Sequence, residues 1–212
     1  MRKRIEIPKG IYGITGDNFS NGKSNLDCVK EMIEGGIRIL QYRDKTKTML
    51  EKYQEAKEIA KLCKEKGVIF IINDHIDLAL LVNADGVHIG QDDYPVEEVR
   101  ALLGNDKIIG LSTHSPEQGF KAFQNENVDY IGVGPIFPTT TKDTKAVGLE
   151  YLDFAIQNLH LPFVAIGGIH EDNLEKILAR KVEHFCMVSG IVGAKNIRET
   201  VQNLWKQWEE NQ

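Results

Sequence analysis

The chain has 212 residues, of which 42% are apolar and 27% charged, with a formal net charge of −5. That length suits one substantial core and is short for two ordinary catalytic domains, so a single domain over residues 1–212 is expected. The composition excludes a disordered chain, and the acidic balance without a basic block argues against nucleic acid as a main partner.

Ile11 to Thr15 reads as a short first strand, followed by a polar loop through Gly22. Ser24 can cap a helix, with Asp27 in the capping-box position and Leu26, Val29, Met32 and Ile33 on its apolar face. Gly35-Gly36 ends that helix. Arg38 to Tyr42 is a second strand that runs into Arg43-Asp44-Lys45. Thr48 to Lys66 is the clearest early helix, because Leu50, Tyr53, Ala56, Ile59, Ala60 and Cys63 recur at spacings of three and four. Phe70-Ile71-Ile72 is a third strand ending at Asn73-Asp74. A short helix over His75 to Val82 offers Ile76, Leu78, Leu80 and Leu81 for burial, and Ala84 to Ile89 is a fourth strand ending before Gly90-Gln91-Asp92-Asp93.

Pro95 opens the next helix, which Gly104 stops. Lys107 to Leu111 is strand five, leading into Ser112-Thr113-His114, and Ser115-Pro116 starts a helix through Phe120 and Phe123. Asp129 to Val133 is strand six, followed by Gly134-Pro135-Ile136-Phe137-Pro138-Thr139-Thr140-Thr141-Lys142. Leu149 to Leu159 forms a helix, Pro162 to Ile166 strand seven before Gly167-Gly168, and Glu171 to Leu178 another helix. Phe185 to Val188 is strand eight, ahead of Ser189-Gly190, and a last helix carries Ile197, Val201, Leu204, Trp205 and Trp208 as packing residues. Eight strands alternating with helices predict an α/β protein, a (β/α)₈ TIM barrel, over the competing doubly wound open sheet.

Polar clusters recur at the C-terminal strand ends, where barrels build their sites. Arg43 and Lys45 pair a planar guanidinium with a point ammonium, which suits a phosphate ester; a solvated basic loop would carry the same two cations. Asp74 and Asp93 supply hard oxygen ligands that suit Mg²⁺, with the Asn73 amide beside them, although both acids could equally be helix caps. Thr139-Thr140-Thr141-Lys142 offers hydroxyls, backbone N–H groups and an ammonium without the glycine pattern of the Walker loop. Gly167-Gly168 and Ser189-Gly190 follow strands seven and eight, where barrels often seat phosphate. Two such sites imply two phosphorylated substrates or one long one. His88, in strand four, reads as either a core hydrogen-bonding residue or a pocket residue, the structural role being favoured, and His114 faces the site end.

Cys28, Cys63 and Cys186 are widely spaced, so neither a disulfide framework nor a thiolate zinc site is indicated. Residues 1–8 are charged but lack a following apolar stretch of signal length, and no window is long enough to span a bilayer. A cytoplasmic protein without membrane contact is therefore expected. A homo-oligomer is left open.

The motifs Tyr12-Gly13-Ile14-Thr15, Gln41-Tyr42-Arg43-Asp44-Lys45, Asn73-Asp74, Gly86 to Asp93, Gly110 to His114, Gly134 to Lys142 and Ile166 to Ile169, in this order and spacing, resemble those of the thiamine phosphate synthase family along nearly the whole chain. The resemblance implies a Mg²⁺-dependent transferase that joins hydroxymethylpyrimidine diphosphate to thiazole phosphate, releasing diphosphate through a dissociated pyrimidine cation. It implies that Gln41, Arg43, Lys45, Asn73, Ser112 and Lys142 contact the pyrimidine diphosphate, with Asp44 in the same binding stretch. Arg43, Lys45 and Lys142 would act catalytically on the leaving group. Asp74 and Asp93 would hold the metal, and Thr139, Thr140, Thr141, Gly168, Val188 and Ser189 the thiazole side. Gly16 departs from the family pattern by separating Thr15 from Asp17. A thiazole tautomerase on the same barrel, or a non-catalytic sensor of a phosphorylated ligand, are the rival readings; neither needs the full set of diphosphate and metal residues.

Overall fold

Helix starts in this protein are written by short polar side chains. In the computed structural model, which describes residues 2–16, 18–139 and 145–212, Thr48 accepts from the backbone of Glu51 while Glu51 reaches back to the Thr48 N–H. That reciprocal cap satisfies two donors the helix cannot use internally. Ser24, Ser115 and Asn196 cap three further helices in the simpler, one-sided way.

The chain alternates β1 (Gly10–Ile14), α1 (Asn25–Gly35), β2 (Ile39–Tyr42), α2 (Met49–Lys66), β3 (Ile69–Asn73), α3 (Ile76–Leu81), β4 (Gly86–Ile89) and α4 (Val96–Leu103). It continues with β5 (Ile108–Thr113), α5 (Pro116–Gln124), β6 (Tyr130–Val133), α6 (Gly148–Asn158), β7 (Phe163–Ile166) and α7 (Leu174–Leu178). The last elements are β8 (His184–Cys186), α8 (Val188–Val192) and α9 (Ile197–Glu210). The eight strands pair in chain order, all parallel, and β1 closes on β8. This is the (β/α)₈ barrel that the alternation predicted.

Two apolar layers hold it. The larger lies between strands and helices and includes Leu40, Ile59, Ile72, Val99, Ile131 and Val201. The smaller fills the barrel interior with Tyr12, Ile14, Ile39, Ile71, Ile108, Tyr130, Val164 and Cys186. Ile7, from the segment before β1, joins that interior cluster. The base is tied by Asp129, whose buried carboxylate accepts from the guanidinium groups of Arg2 and Arg100 and from the backbone N–H groups of Ile5 and Ile109. Burial pulls the Arg100 guanidinium below its usual range, and the Asp129 charge opposes that pull. Trp205 and Trp208 pack as expected and spend their indole N–H groups on the carbonyls of Gly36 and Val182.

Three local expectations change. Strand eight ends at Cys186, and Val188 opens a separate short helix, because the Ile191 N–H turns back to the Met187 carbonyl at 3.1 Å. Leu80 and Leu81 are 49% and 69% exposed, so only Ile76 and Leu78 of the four candidate apolar residues of α3 are buried. A six-residue helix presents one narrow stripe to the barrel, and these two leucines lie off it. Strand five runs on through Ser112 and Thr113, which sets Ser112 inside the ladder opposite Gly132.

Burial pushes the imidazole of His184, at the base of β8, below its usual range. The folded protein therefore keeps His184 neutral where the unfolded chain would accept a proton. The stability this provides is complete above about pH 6.5 and declines as pH falls through that value toward the folded-state pKa. Replacing His184 with leucine should flatten the fall in melting temperature between about pH 7 and pH 5. Parallel melting curves for the two proteins across that range would remove His184 from the account.

Candidate active site

The C-terminal barrel end holds a cavity of about 900 Å³, including its open mouth. On the β1–β2 side, the buried Thr15 fastens the stretch that presents Arg43. Its hydroxyl donates to the Arg43 carbonyl and accepts from the Arg43 N–H, both at 2.8 Å, and the Thr15 N–H bonds to the Gln41 carbonyl at 3.0 Å. Gln41 and Arg43 then line the cavity from alternate positions of one strand end.

Asp44, between them and Lys45, has a different job. Its side chain is fully buried and accepts from the backbone N–H groups of Thr46 and Lys47, from the Asn25 amide and from the Lys47 ammonium. Burial would raise its pKa, but those amides and the Lys47 charge outweigh it and hold the carboxyl below the usual range. The loop after β2 thus occupies the acceptors of Asp44, a residue expected within the substrate-binding stretch. Lys45 stands at the rim, half exposed, and donates to Asp74 at 2.6 Å.

Asn73 ends β3 inside the cavity. Asp74 follows it with φ +62°, a backbone state that a residue with a Cβ adopts rarely and at a cost. The turn lets the Asp74 N–H reach the His88 carbonyl of β4 at 2.9 Å and sets the carboxylate beside Lys45. Asp93, exposed beyond β4, accepts from the Gly90 N–H at 2.6 Å. Among the described residues no three His, Cys, Asp or Glu side chains gather as a metal cluster. Two carboxylates at neighbouring strand ends, with an amide nearby, leave most places of an octahedral ion to water and phosphate oxygens. That donor set fits Mg²⁺ held together with a phosphorylated substrate and does not fit zinc.

The opposite rim comes from β6, β7 and β8. Thr139, Gly168, Val188 and Ser189 line the cavity there. Gly168 has φ +64°, and a Cβ on it would fall 2.4 Å from the Pro138 carbonyl oxygen. Its conformation thus serves a close approach of the loop after β6 as well as leaving its own backbone open to a ligand. That loop is stitched to β7 by the Ile136 N–H to Ile166 carbonyl bond at 2.9 Å and the Phe137 N–H to Gly167 carbonyl bond at 3.0 Å. Thr140 and Thr141, expected on this thiazole side, Lys142, expected on the pyrimidine diphosphate, and Asp17 lie outside the described residues.

The floor was not anticipated. Tyr12 and Tyr130 meet through their hydroxyls at 2.6 Å, His88 joins Tyr130 at 3.0 Å and Ser112 joins His88 at 2.9 Å. Gln41 donates to Tyr12 at 3.0 Å. Burial keeps both phenols protonated, with pKa values pushed well above the ordinary tyrosine range. His88 is therefore both a core residue and a cavity residue. His114 also lines the cavity, and its Nδ1 lies 2.6 Å from the Gly134 carbonyl, so that nitrogen carries the proton. A signal for the tyrosines was available: a phenol in a short, otherwise buried strand must find a partner for its hydroxyl.

A family model described as thiamine monophosphate synthase matches residues 11–191. A thiamine-phosphate synthase of Pelotomaculum thermopropionicum is 53% identical over 196 residues, covering 92% of this chain and 89% of the relative. One from Caldicellulosiruptor bescii is 49% identical over 198 residues, covering 92% and 90%. Among solved structures, a thiamine phosphate pyrophosphorylase from Pyrococcus furiosus superposes with a TM-score of 0.86 at 34% identity, covering 95% of this chain and 96% of that one.

Proposed function

The chain belongs to the thiamine monophosphate synthase family, and from that premise we propose how its barrel end carries the family's reaction. It is a transferase of thiamine biosynthesis that couples hydroxymethylpyrimidine diphosphate to thiazole phosphate. The thiazole ring nitrogen forms a bond to the pyrimidine methylene carbon, the bond from that carbon to the diphosphate oxygen breaks, and its electron pair leaves on diphosphate. The nucleophile belongs to the substrate, so the protein's contribution is placement and charge.

Arg43 and Lys45 take the diphosphate oxygens on the β2 side, with Ser112 and Asn73 donating from β5 and β3. Lys142, which follows β6 in sequence, donates from its ammonium to the leaving group. Gln41 orients the pyrimidine. Gly168, Ser189 and the threonines from Thr139 to Thr141 hold the thiazole phosphate, and Val188 packs against the thiazole. The family uses a divalent metal, and Mg²⁺ held by Asp74 and Asp93 would neutralise charge building on the departing diphosphate. Lys45, paired with Asp74 before substrate arrives, then exchanges that carboxylate for phosphate oxygen.

The observation that carries this reading is one cavity lined by Arg43, Asn73 and Ser112 on one side and by Gly168 and Ser189 on the other. Purified protein supplied with both phosphorylated heterocycles and Mg²⁺ should release thiamine phosphate and diphosphate, and a chelator should stop the reaction. Isomerisation of thiazole phosphate without coupling would identify a tautomerase instead. Tight binding of either ligand without any product would identify a sensor.

A further inference from the structure

The hydrogen-bonded chain across the barrel floor ends in the active site, and the Gln41 amide at its start sets which way each link donates. Each hydroxyl has a single proton to give. Gln41 donates its amide N–H to the Tyr12 oxygen at 3.0 Å. Tyr12 then gives its proton to Tyr130, whose oxygen lies 2.6 Å away. Tyr130 in turn donates to Nδ1 of His88 at 3.0 Å. With Nδ1 accepting, a neutral His88 carries its proton on Nε2 and donates it to the Ser112 oxygen at 2.9 Å. The Ser112 proton is left to point at a ligand.

Turning the Gln41 amide over reverses every step: Tyr12 donates to Gln41, and at the far end Ser112 donates into the protein and can only accept from a ligand. Diphosphate oxygens are acceptors, so only the first order serves that ligand. We propose that Tyr12 and Tyr130 are positioning residues that, through His88, hold the Ser112 hydroxyl as a ready donor to the departing diphosphate. The proposal rests on the reading of this cavity as a diphosphate site. A donor aimed before the substrate arrives needs no reorientation during the reaction. The backbone is shaped for the contact: a Cβ on Gly110 would fall 2.2 Å from the Tyr130 ring and 2.5 Å from Nδ1 of His88. Glycine at that position leaves the opening in which the two side chains meet.

The test reads the His88 tautomer in ligand-free protein by ¹⁵N NMR of labelled histidine, with the resonances assigned by a His88→Gln variant. Wild type should show Nε2–H. Gln41→Glu at pH 8 presents a carboxylate that only accepts, so it should reverse the chain and move the His88 proton to Nδ1 through the two intervening tyrosines. Tyr130→Phe keeps the ring, cuts the chain and should leave His88 a mixture of tautomers; it decides the matter if Gln41→Glu does not fold. In parallel, calorimetry with inorganic diphosphate and Mg²⁺ should show Tyr130→Phe weakening binding about tenfold, and Ser112→Ala should add little to that loss. An Nδ1–H His88 in wild type, a tautomer unmoved by either variant, or additive losses for Tyr130→Phe and Ser112→Ala would overturn the proposal. Failure of wild type to bind diphosphate at all would instead overturn the reading of the cavity on which it rests.

Discussion

Asp93→Asn is expected to lower turnover by about 10²-fold or more, a loss of roughly 2.7 kcal/mol of transition-state stabilisation. The substitution keeps the volume and an oxygen acceptor, so the Gly90 N–H now bonded to Asp93 at 2.6 Å still finds a partner. What it removes is one of the two charges proposed to hold the metal. The residue is exposed beyond β4, so the fold should melt close to wild type. The loss should shrink as Mg²⁺ is raised, because a weakened site refills at higher metal concentration. Full turnover with unchanged Mg²⁺ dependence in a folded variant would dismiss Asp93 as a ligand.

Asp129→Ala should be the most destabilising of the simple substitutions, at about 3–5 kcal/mol. Asp129 is completely buried and serves two guanidinium groups and two backbone N–H groups. Its removal leaves Arg100, itself buried, beside donors without an acceptor. Much of the cost comes from those stranded groups rather than from the lost attraction. For a domain of this size the melting temperature should fall by on the order of 10 °C. Because the contacts lie at the barrel base, the kcat of whatever protein remains folded should stay near wild type. A loss below about 1 kcal/mol in denaturant unfolding would show that water reaches the pocket and replaces the carboxylate.

Local pattern was enough for the scaffold. Alternating strands and helices with caps at Ser24, Thr48 and Ser115 are decided within a few residues, so the barrel, its element order and the family motifs at its strand ends could be read along the chain. The polar residues after each strand were legible for the same reason, since a parallel barrel delivers every strand end to one rim. What the chain order could not show is where Asp44 points: it sits among cations in sequence, while the fold turns its carboxylate into the loop and fills it with amides.

Neighbouring residues alone reveal which positions follow strands; which strand residues face inward, and whom they meet, is set by closure of the barrel. Barrel strands are buried on both faces, so β1, β2, β4 and β6 carry no alternation of apolar and polar surface from which an inner face could be read. Closure and register then set Tyr12 of β1 against Tyr130 of β6, 118 residues later, across the barrel floor. The same closure carries Arg2 and Arg4 to the far side of the base, where Asp129 and the Phe123 carbonyl receive them. Such contacts depend on strand tilt and stagger summed around all eight strands, a property of the closed ring that no window of neighbouring residues contains.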